Sequence, residues 1–314
     1  MIRTGIIGLG RWGKNHLRIF KELEKTTDSK LIGVADSNPD KKNLVEEFGI
    51  KFYTDFTQLL PLVDAVSIVT PTNIHYQIAK ECLSNKKHVF VEKPLTLFSK
   101  EAKELVSLAK NNGLILNVGY LYRFNPAVVE LKKQINNIGK IRYIIGRYIQ
   151  PKSPRKDSGA VFNLGVHLID ILNFILNKKP STVLCKTENI FSSNFEDSAT
   201  ITLDYGSFYV VLELTSHHPF KKRNMIIVGS KAAVYADFLE QTLKYYTPNK
   251  NDNIEWFSKN IELKKNEPLK QELFHFVSSL EGKMNYTIGE EEIYTTMICE
   301  RALESAKLGK ELKI

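Results

Sequence analysis

Nine consecutive residues near the start, Gly8-Leu9-Gly10-Arg11-Trp12-Gly13-Lys14-Asn15-His16, restrict the fold of this chain more than any other stretch. They follow an apolar run that begins at Ile2 and open a helical periodicity, so the three glycines fall at a strand-to-helix turn. In that setting G-x-G-x-x-G is a dinucleotide fingerprint: Gly8 makes the tight turn, Gly10 lets backbone approach a pyrophosphate, and Gly13 allows close helix-strand packing. The helix N-terminus then offers unpaired N–H groups and a partial positive charge to phosphate oxygens. Three glycines alone can mark a turn and nothing more. Here a second apolar run, Lys30-Leu31-Ile32-Gly33-Val34-Ala35, ends in Asp36, about 20 residues on, where a carboxylate accepts hydrogen bonds from an adenosine ribose. Arg11 and Trp12 in the loop, and Ser37 beside Asp36, are further candidate cofactor contacts. Asp36 predicts NAD rather than NADP, because Ser37 brings no positive charge to offset repulsion of a 2′-phosphate. Asn38, Lys41 and Lys42 lie close enough to matter if the loop rearranges.

From residue 1 to about 120, short apolar runs alternate with helical periodicity, the pattern of βαβ units on a parallel sheet. The strands read are Thr4–Ile7, Leu31–Ala35, Ala65–Val69, Val89–Val91 and Leu114–Val118, with helices such as Asn73–Leu83 and Lys100–Lys110 between them. Asn125-Pro126 supplies an N-cap followed by proline at the first helical position, so a helix is predicted to about Asn136. Beyond it, alternating strands such as Lys140–Ile149, Ala199–Leu203 and Ser207–Leu214 predict an open, largely antiparallel sheet, and helices near Leu269–Leu280 and Glu290–Lys307 close the chain. The expected fold is α/β, with a doubly wound parallel sheet over residues 1–121 and a second α/β domain over 122–314.

Composition narrows the function. With 314 residues, 43% hydrophobic and 25% charged, the chain can build two cores and is not disordered. Cys82, Cys185 and Cys299 are far apart, odd in number and without a C-x-x-C spacing, as expected of buried thiols in a reducing cytoplasm. No leader pattern and no run of ~18 uncharged apolar residues is found, so a cytoplasmic protein without membrane insertion is expected. The net charge of +9 is read first as lysines scattered over solvated faces and second as attraction for an anionic substrate. Nucleic acid comes a distant third, because no basic helix is interleaved with aromatics.

Three further segments carry polar groups suited to chemistry. Thr70-Pro71-Thr72-Asn73-Ile74-His75 follows a strand at the edge where open α/β sheets bind ligands, although Asn73 could simply cap the next helix. Glu92-Lys93-Pro94 ends another strand; the lysine is either a solvated cation or a group held over the cofactor for proton transfer or orientation. In Gly159-Ala160-Val161-Phe162-Asn163-Leu164-Gly165-Val166-His167-Leu168-Ile169-Asp170, a helix from Phe162 would align Asn163, His167 and Asp170 at i, i+4 and i+7. A polar stripe among Leu, Ile and Phe must find partners or face a wet cavity. His-x-x-Asp could also be a metal pair, but no third ligand has suitable spacing, so no metal is expected.

The set Gly8-x-Gly10-x-x-Gly13, Asp36, Thr70-Pro71-x-x-x-His75, Glu92-Lys93-Pro94, Arg123-Phe124-Asn125-Pro126 and Asn163-x-Gly165-x-His167-x-x-Asp170 resembles the Gfo/Idh/MocA oxidoreductase family, in order and over nearly the whole chain. Glu267-Pro268-Leu269, Gly289-Glu290 and Ala302-Leu303-Glu304-Ser305-Ala306 resemble its closing helices. The resemblance implies a Rossmann domain, a second domain whose open sheet mediates homo-oligomers (dimer or tetramer), and Lys93 and His167 flanking the nicotinamide and the reacting carbinol, with Lys93-Pro94 often cis. The family usually carries aspartate where this chain has Asn163, which departs from an Asp-His acid/base pair. Tyr122-Arg123-Phe124-Asn125-Pro126-Ala127-Val128 and Pro154-Arg155-Lys156-Asp157-Ser158-Gly159 are similar to members acting at C3 of UDP-N-acetylglucosamine-type sugars. NAD is thus the implied cofactor and a sugar or nucleotide sugar the implied partner. Arg123 is assigned to the cofactor cleft, and Tyr120, Arg155, Asn163 and His167 join Lys93 as substrate contacts. Lys152, Arg155 and Lys156 are either exposed loop cations or ligands of a diphosphate. A polyol or free-sugar dehydrogenase, an NAD-dependent glycosidase and a non-enzymatic NAD-binding regulator are the alternatives.

Overall fold

Strands that are buried on both faces read as continuous apolar runs, and the first part of the chain is built from them. A computed structural model describes residues 1–153, 157–191, 194–249, 255–284 and 291–314. Arg155, Lys156 and the pair Gly289-Glu290 lie outside the described residues. In chain order the first elements are β1 (Ile2–Ile7), α1 (Arg11–Leu23), β2 (Ser29–Ala35), α2 (Asn43–Glu46), β3 (Lys51–Tyr53), β4 (Ala65–Ile68), α3 (His75–Ser84), β5 (His88–Glu92), α4 (Ser99–Asn111) and β6 (Leu116–Gly119). Their six strands are parallel, in the order β3-β2-β1-β4-β5-β6. The direction of winding reverses between β1 and β4, the switch point at which such sheets bind ligands. The three-residue β3 is a strand the sequence did not reveal, being too short to show a period.

The later elements are α5 (Pro126–Gln134), β7 (Ile141–Pro151), α6 (Val166–Leu176), β8 (Thr182–Glu188), β9 (Ser198–Asp204), β10 (Tyr209–Thr215), β11 (His217–Gly229), β12 (Ala233–Asp237), β13 (Thr242–Asn249), β14 (Glu255–Ile261), α7 (Pro268–Leu280), α8 (Glu291–Leu308) and β15 (Leu312–Lys313). Asn125 caps α5 by accepting the Ala127 N–H at 3.0 Å, with Pro126 at the first helical position as its sequence predicts. The second sheet has nine strands in the order β14-β13-β12-β11-β7-β10-β9-β8-β15. Neighbours are antiparallel except β7 and β10, which are parallel.

The chain divides into two units, Met1–Tyr120 with Leu269–Ile293, and Leu121–Pro268 with Tyr294–Ile314. A single cut near residue 121 therefore misassigns α7. The helix belongs to the first unit because Leu269, Leu273, Phe276 and Val277 are buried with Leu17, Phe20, Val34 and Phe90, with Phe276 meeting Phe90 edge-on at 5.6 Å. Among the described residues, no helix is long and apolar enough to cross a membrane, and no group of three or more His, Cys, Asp and Glu could hold a metal ion.

Candidate active site

The loop between β1 and α1 is shaped by the absence of side chains. Gly8 adopts φ +100°, a conformation that L side chains rarely take, and a Cβ there would lie 2.6 Å from the Val69 carbonyl oxygen. A Cβ at Gly13 would lie 2.2 Å from the Gly8 carbonyl oxygen, so only glycine lets α1 pack this close to the loop. Gly10 differs, since nothing lies within 4 Å of where its Cβ would project. The N-terminus of α1 has neither a side-chain cap nor an acidic residue in its first turn. Its N–H groups and dipole remain for an anion. The Thr70 Oγ1, just beyond β4, is buried without a hydrogen-bond partner in the structure. Uncapped donors, open space above Gly10 and this hydroxyl fit the pyrophosphate of a dinucleotide.

Asp36 closes the far end of the same loop. Its Oδ2 accepts the Leu9 N–H at 2.6 Å and Lys41 Nζ at 2.7 Å, and its Oδ1 accepts the Asn38 N–H at 2.9 Å. Burial pushes the carboxyl up, but the Lys41 ammonium and the Asn38 and Leu9 N–H groups outweigh it and hold it below its ordinary value. Arg11, Trp12 and Ser37 are exposed.

After β4, Thr72–Ile74 form a 3-10 turn, and α3 starts at His75 without a side-chain cap, so Asn73 does not cap it. Pro71 and Asn73 are exposed, whereas His75 is buried with Nδ1 2.8 Å from the Pro94 carbonyl and Nε2 3.0 Å from the Thr70 carbonyl. This ring braces two loops rather than projecting outward. Lys93-Pro94 is a cis peptide, and Lys93 itself is half-buried. Glu92 is held by a network absent from the sequence reading. His16 of α1, fully buried, places Nδ1 2.9 Å from Ser67 Oγ and Nε2 3.1 Å from Glu92 Oε1, while Glu92 Oε2 accepts the Lys93 N–H at 3.2 Å. The network ties the phosphate-facing helix to the strand end that carries Lys93. Tyr120, just past β6, is buried, and its N–H donates to the Val118 carbonyl at 2.7 Å.

In the second unit the His167 helix does not begin as a regular α-helix. Val161–Gly165 form a π-helical turn that runs into α6. An i→i+5 turn rotates less per residue, which brings residues four apart closer to eclipsed. Asn163 and His167 are thus set over one another, and both are buried, 9% and 6% exposed. Asp170, on the α-helical part beyond the turn, is gripped by Arg123, whose Nε lies 3.0 Å and NH2 2.6 Å from Asp170 Oδ1. Arg123, which the sequence assigns to the cofactor, is here the partner of a buried carboxylate. The turn is anchored by Glu196, whose Oε1 accepts the Val161 N–H at 3.0 Å and whose carbonyl accepts the Ala160 N–H at 2.8 Å. A Cβ at Gly159 would lie 2.1 Å from the Glu196 carboxylate, so a side chain there would push that carboxylate off the Val161 N–H.

Aromatic rings fix His167. Tyr148 stacks on it at 5.4 Å and 8°, and Tyr122 meets it edge-on at 5.1 Å. The Arg223 guanidinium lies 4.4 Å from the Tyr148 ring and donates to Tyr122 Oη at 3.1 Å and to Gln150 Oε1 at 3.2 Å. Burial pushes both phenols above their ordinary range. Tyr148 and Arg223 escape motif reading, yet a signal exists: Ile144, Gly146, Tyr148 and Gln150 alternate on the buried face of β7, and two polar groups there call for partners.

With this geometry in place, comparisons with known proteins identify the frame. Residues 2–120 match the family described as "Oxidoreductase family, NAD-binding Rossmann fold", and residues 128–235 match the "GFO/IDH/MocA C-terminal domain". The UDP-N-acetylglucosamine 3-dehydrogenase of Acidithiobacillus ferrooxidans is 29% identical over 250 residues, 78% of this chain and 77% of that protein. The myo-inositol 2-dehydrogenase of Thermotoga maritima is 29% identical over 269 residues, 80% of each. A solved structure of the A. ferrooxidans enzyme superposes with a TM-score of 0.87 at 25% identity, covering 98% of both chains. A dinucleotide loop, a parallel sheet and a second unit on a mixed, mostly antiparallel sheet follow one pattern from end to end: the chain belongs to the Gfo/Idh/MocA family of NAD-binding oxidoreductases.

Proposed function

We propose that this chain is an NAD-dependent dehydrogenase oxidising a secondary alcohol of a sugar, at C3 of a UDP-N-acetylhexosamine-type nucleotide sugar. The observation that carries the reading is the setting of His167. The phenols packed on it are protonated at neutral pH in any setting and burial only pushes them further up, so of these rings the imidazole is the one whose ordinary chemistry lets it accept a proton. The roles assigned are acceptance of the hydroxyl proton by His167 and stabilisation of the developing negative charge by Lys93. NAD, when bound at the Gly8–Gly13 loop and Asp36, supplies the hydride acceptor. The alcohol becomes a ketone, NAD is reduced and one proton is released. Asn163, with a neutral amide, orients rather than charges its neighbour, and Tyr120 lines the substrate side. Substrate binding and self-association are assigned to the unit built on the nine-stranded sheet.

Support for the nucleotide sugar comes from the end-to-end likeness to the UDP-N-acetylglucosamine 3-dehydrogenase and from Lys152, Arg155 and Lys156, cations suited to a diphosphate. The relation to the inositol dehydrogenase favours a second reading, oxidation of a free polyol. Purified protein incubated with NAD and a panel of UDP-N-acetylglucosamine, UDP-N-acetylgalactosamine, free sugars and inositols separates them by the absorbance of NADH. Turnover with UDP-sugars alone supports the proposal; turnover with inositols alone supports the second reading, and none at all points to an NAD-binding regulator.

A further inference from the structure

Asp36 is the residue on which the choice of cofactor turns, and in this chain it is joined to a cation. Lys41 Nζ sits 2.7 Å from Asp36 Oδ2, in a partly shielded pair with side-chain exposures of 30% and 8%. The surrounding groups are otherwise committed. Asn38 Oδ1 accepts the Asp40 N–H at 2.9 Å, Lys42 is 62% exposed and turns to Glu46 at 3.5 Å, and Ser37 carries no charge. A carboxylate offers about four acceptor positions. Two on Asp36 are spent on the Leu9 and Asn38 N–H groups, which the backbone fixes, and a third on Lys41, which sits on a flexible stem. A ribose with two adjacent hydroxyls therefore takes the remaining position and competes with Lys41 for its own.

We propose that Lys41 is a specificity-determining residue: it yields Asp36 to the ribose of NAD and, staying beside it, is the cation that meets a 2′-phosphate. Selectivity is then a property of the Asp36–Lys41 pair. Alone, Asp36 would repel a phosphate on the hydroxyl that it binds, whereas the ammonium offsets that repulsion by pairing with the phosphate directly. NAD remains favoured, but by a smaller margin than Asp36 alone would set. The proposal rests on dinucleotide binding at this loop and not on the sugar reading. Its test uses no substrate, so the two fail separately.

Dissociation constants of NAD and NADP are measured by calorimetry on the unaltered protein and on Lys41→Gln, Lys41→Arg and Arg11→Gln. Lys41→Gln is expected to weaken NADP by about ten-fold or more, the scale of one charge-assisted contact, while NAD stays within about three-fold and Lys41→Arg keeps NADP. Equal changes for both cofactors in Lys41→Gln, unchanged NADP affinity, or no measurable NADP binding by the unaltered protein would overturn the proposal. So would an NADP-selective loss confined to Arg11→Gln, which would assign the phosphate to the loop arginine instead.

Discussion

Adding one methyl group at two glycines of the same loop should have different signatures. In Gly13→Ala the new Cβ would stand 2.2 Å from the Gly8 carbonyl oxygen. Ordinary contact needs more than 1 Å of additional separation, and the Gly8 backbone cannot retreat freely because its N–H donates to the Ala35 carbonyl at 2.8 Å. Overpacking of this kind costs about 1–3 kcal/mol. At roughly 2–4 °C per kcal/mol for a domain of this size, Tm should fall by several degrees, and displacement of α1 should weaken NAD binding as well. In Gly10→Ala the Cβ enters space where no protein atom lies within 4 Å, with φ −75° and ψ −164° open to any residue. Alanine is a poorer N-cap than glycine by on the order of 0.5–1 kcal/mol, so Tm should fall by no more than about 2–4 °C. NAD affinity should fall by about ten-fold or more, because the methyl fills the cradle meant for phosphate. Thermal scans by circular dichroism and calorimetric titration with NAD read the two effects separately. Unchanged NAD affinity in Gly10→Ala would refute the assignment of this loop to the pyrophosphate, and an unchanged Tm in Gly13→Ala would refute the packing argument.

Other expectations concern the chemistry and its pH dependence. Lys93→Ala and His167→Ala should each lower turnover by about two orders of magnitude while NAD affinity stays within a few-fold, and an active His167→Ala beside a dead Lys93→Ala would make lysine the base. Asn163→Asp should move the acid limb of the kcat/KM profile upward, on the order of one pH unit, because a carboxylate set over His167 favours the imidazolium; an unmoved limb would uncouple residue 163 from the base. Burial holds the pKa of His88 below its ordinary value against the opposing pull of Asp64, and its Nδ1 accepts the Ile115 N–H at 3.0 Å, which needs the neutral ring. With the folded value below the unfolded one, this contribution is full above the unfolded pKa of ~6.5 and is lost as pH falls below it. Tm should therefore drop less between about pH 7.5 and 5.5 in His88→Gln than in the unaltered chain.

The parts of this structure that were legible in the sequence are those governed by local periodicity and by glycine. Continuous apolar runs mark β1, β2, β4, β5 and β6, and the Gly8–Gly13 spacing marks the turn where backbone must approach a ligand. Amphipathic pattern shows that α7 buries a face but not against what, so its place beside Phe90 in the first unit was hidden. The π turn at Val161–Gly165 was equally hidden, because a single i→i+5 turn imposes no repeat; its traces are Gly159, needed by the Glu196 carboxylate, and Gly165, where a Cβ would meet Leu214 at 2.8 Å. Side-chain pairings across long sequence separations, Arg123 with Asp170 and His16 with Glu92, follow from tertiary placement and leave only the hint that a buried polar group needs a partner.

The central claim is oxidation at C3 of a nucleotide sugar. UDP-N-acetylglucosamine carrying deuterium at C3 alone, incubated with NAD and the purified protein, tests it in one NMR measurement of the reduced cofactor. The account predicts one deuterium at the nicotinamide C4 position and a 3-keto product. Reduced cofactor without deuterium would place the oxidation at another carbon, and no reduced cofactor with this substrate would contradict the nucleotide-sugar assignment.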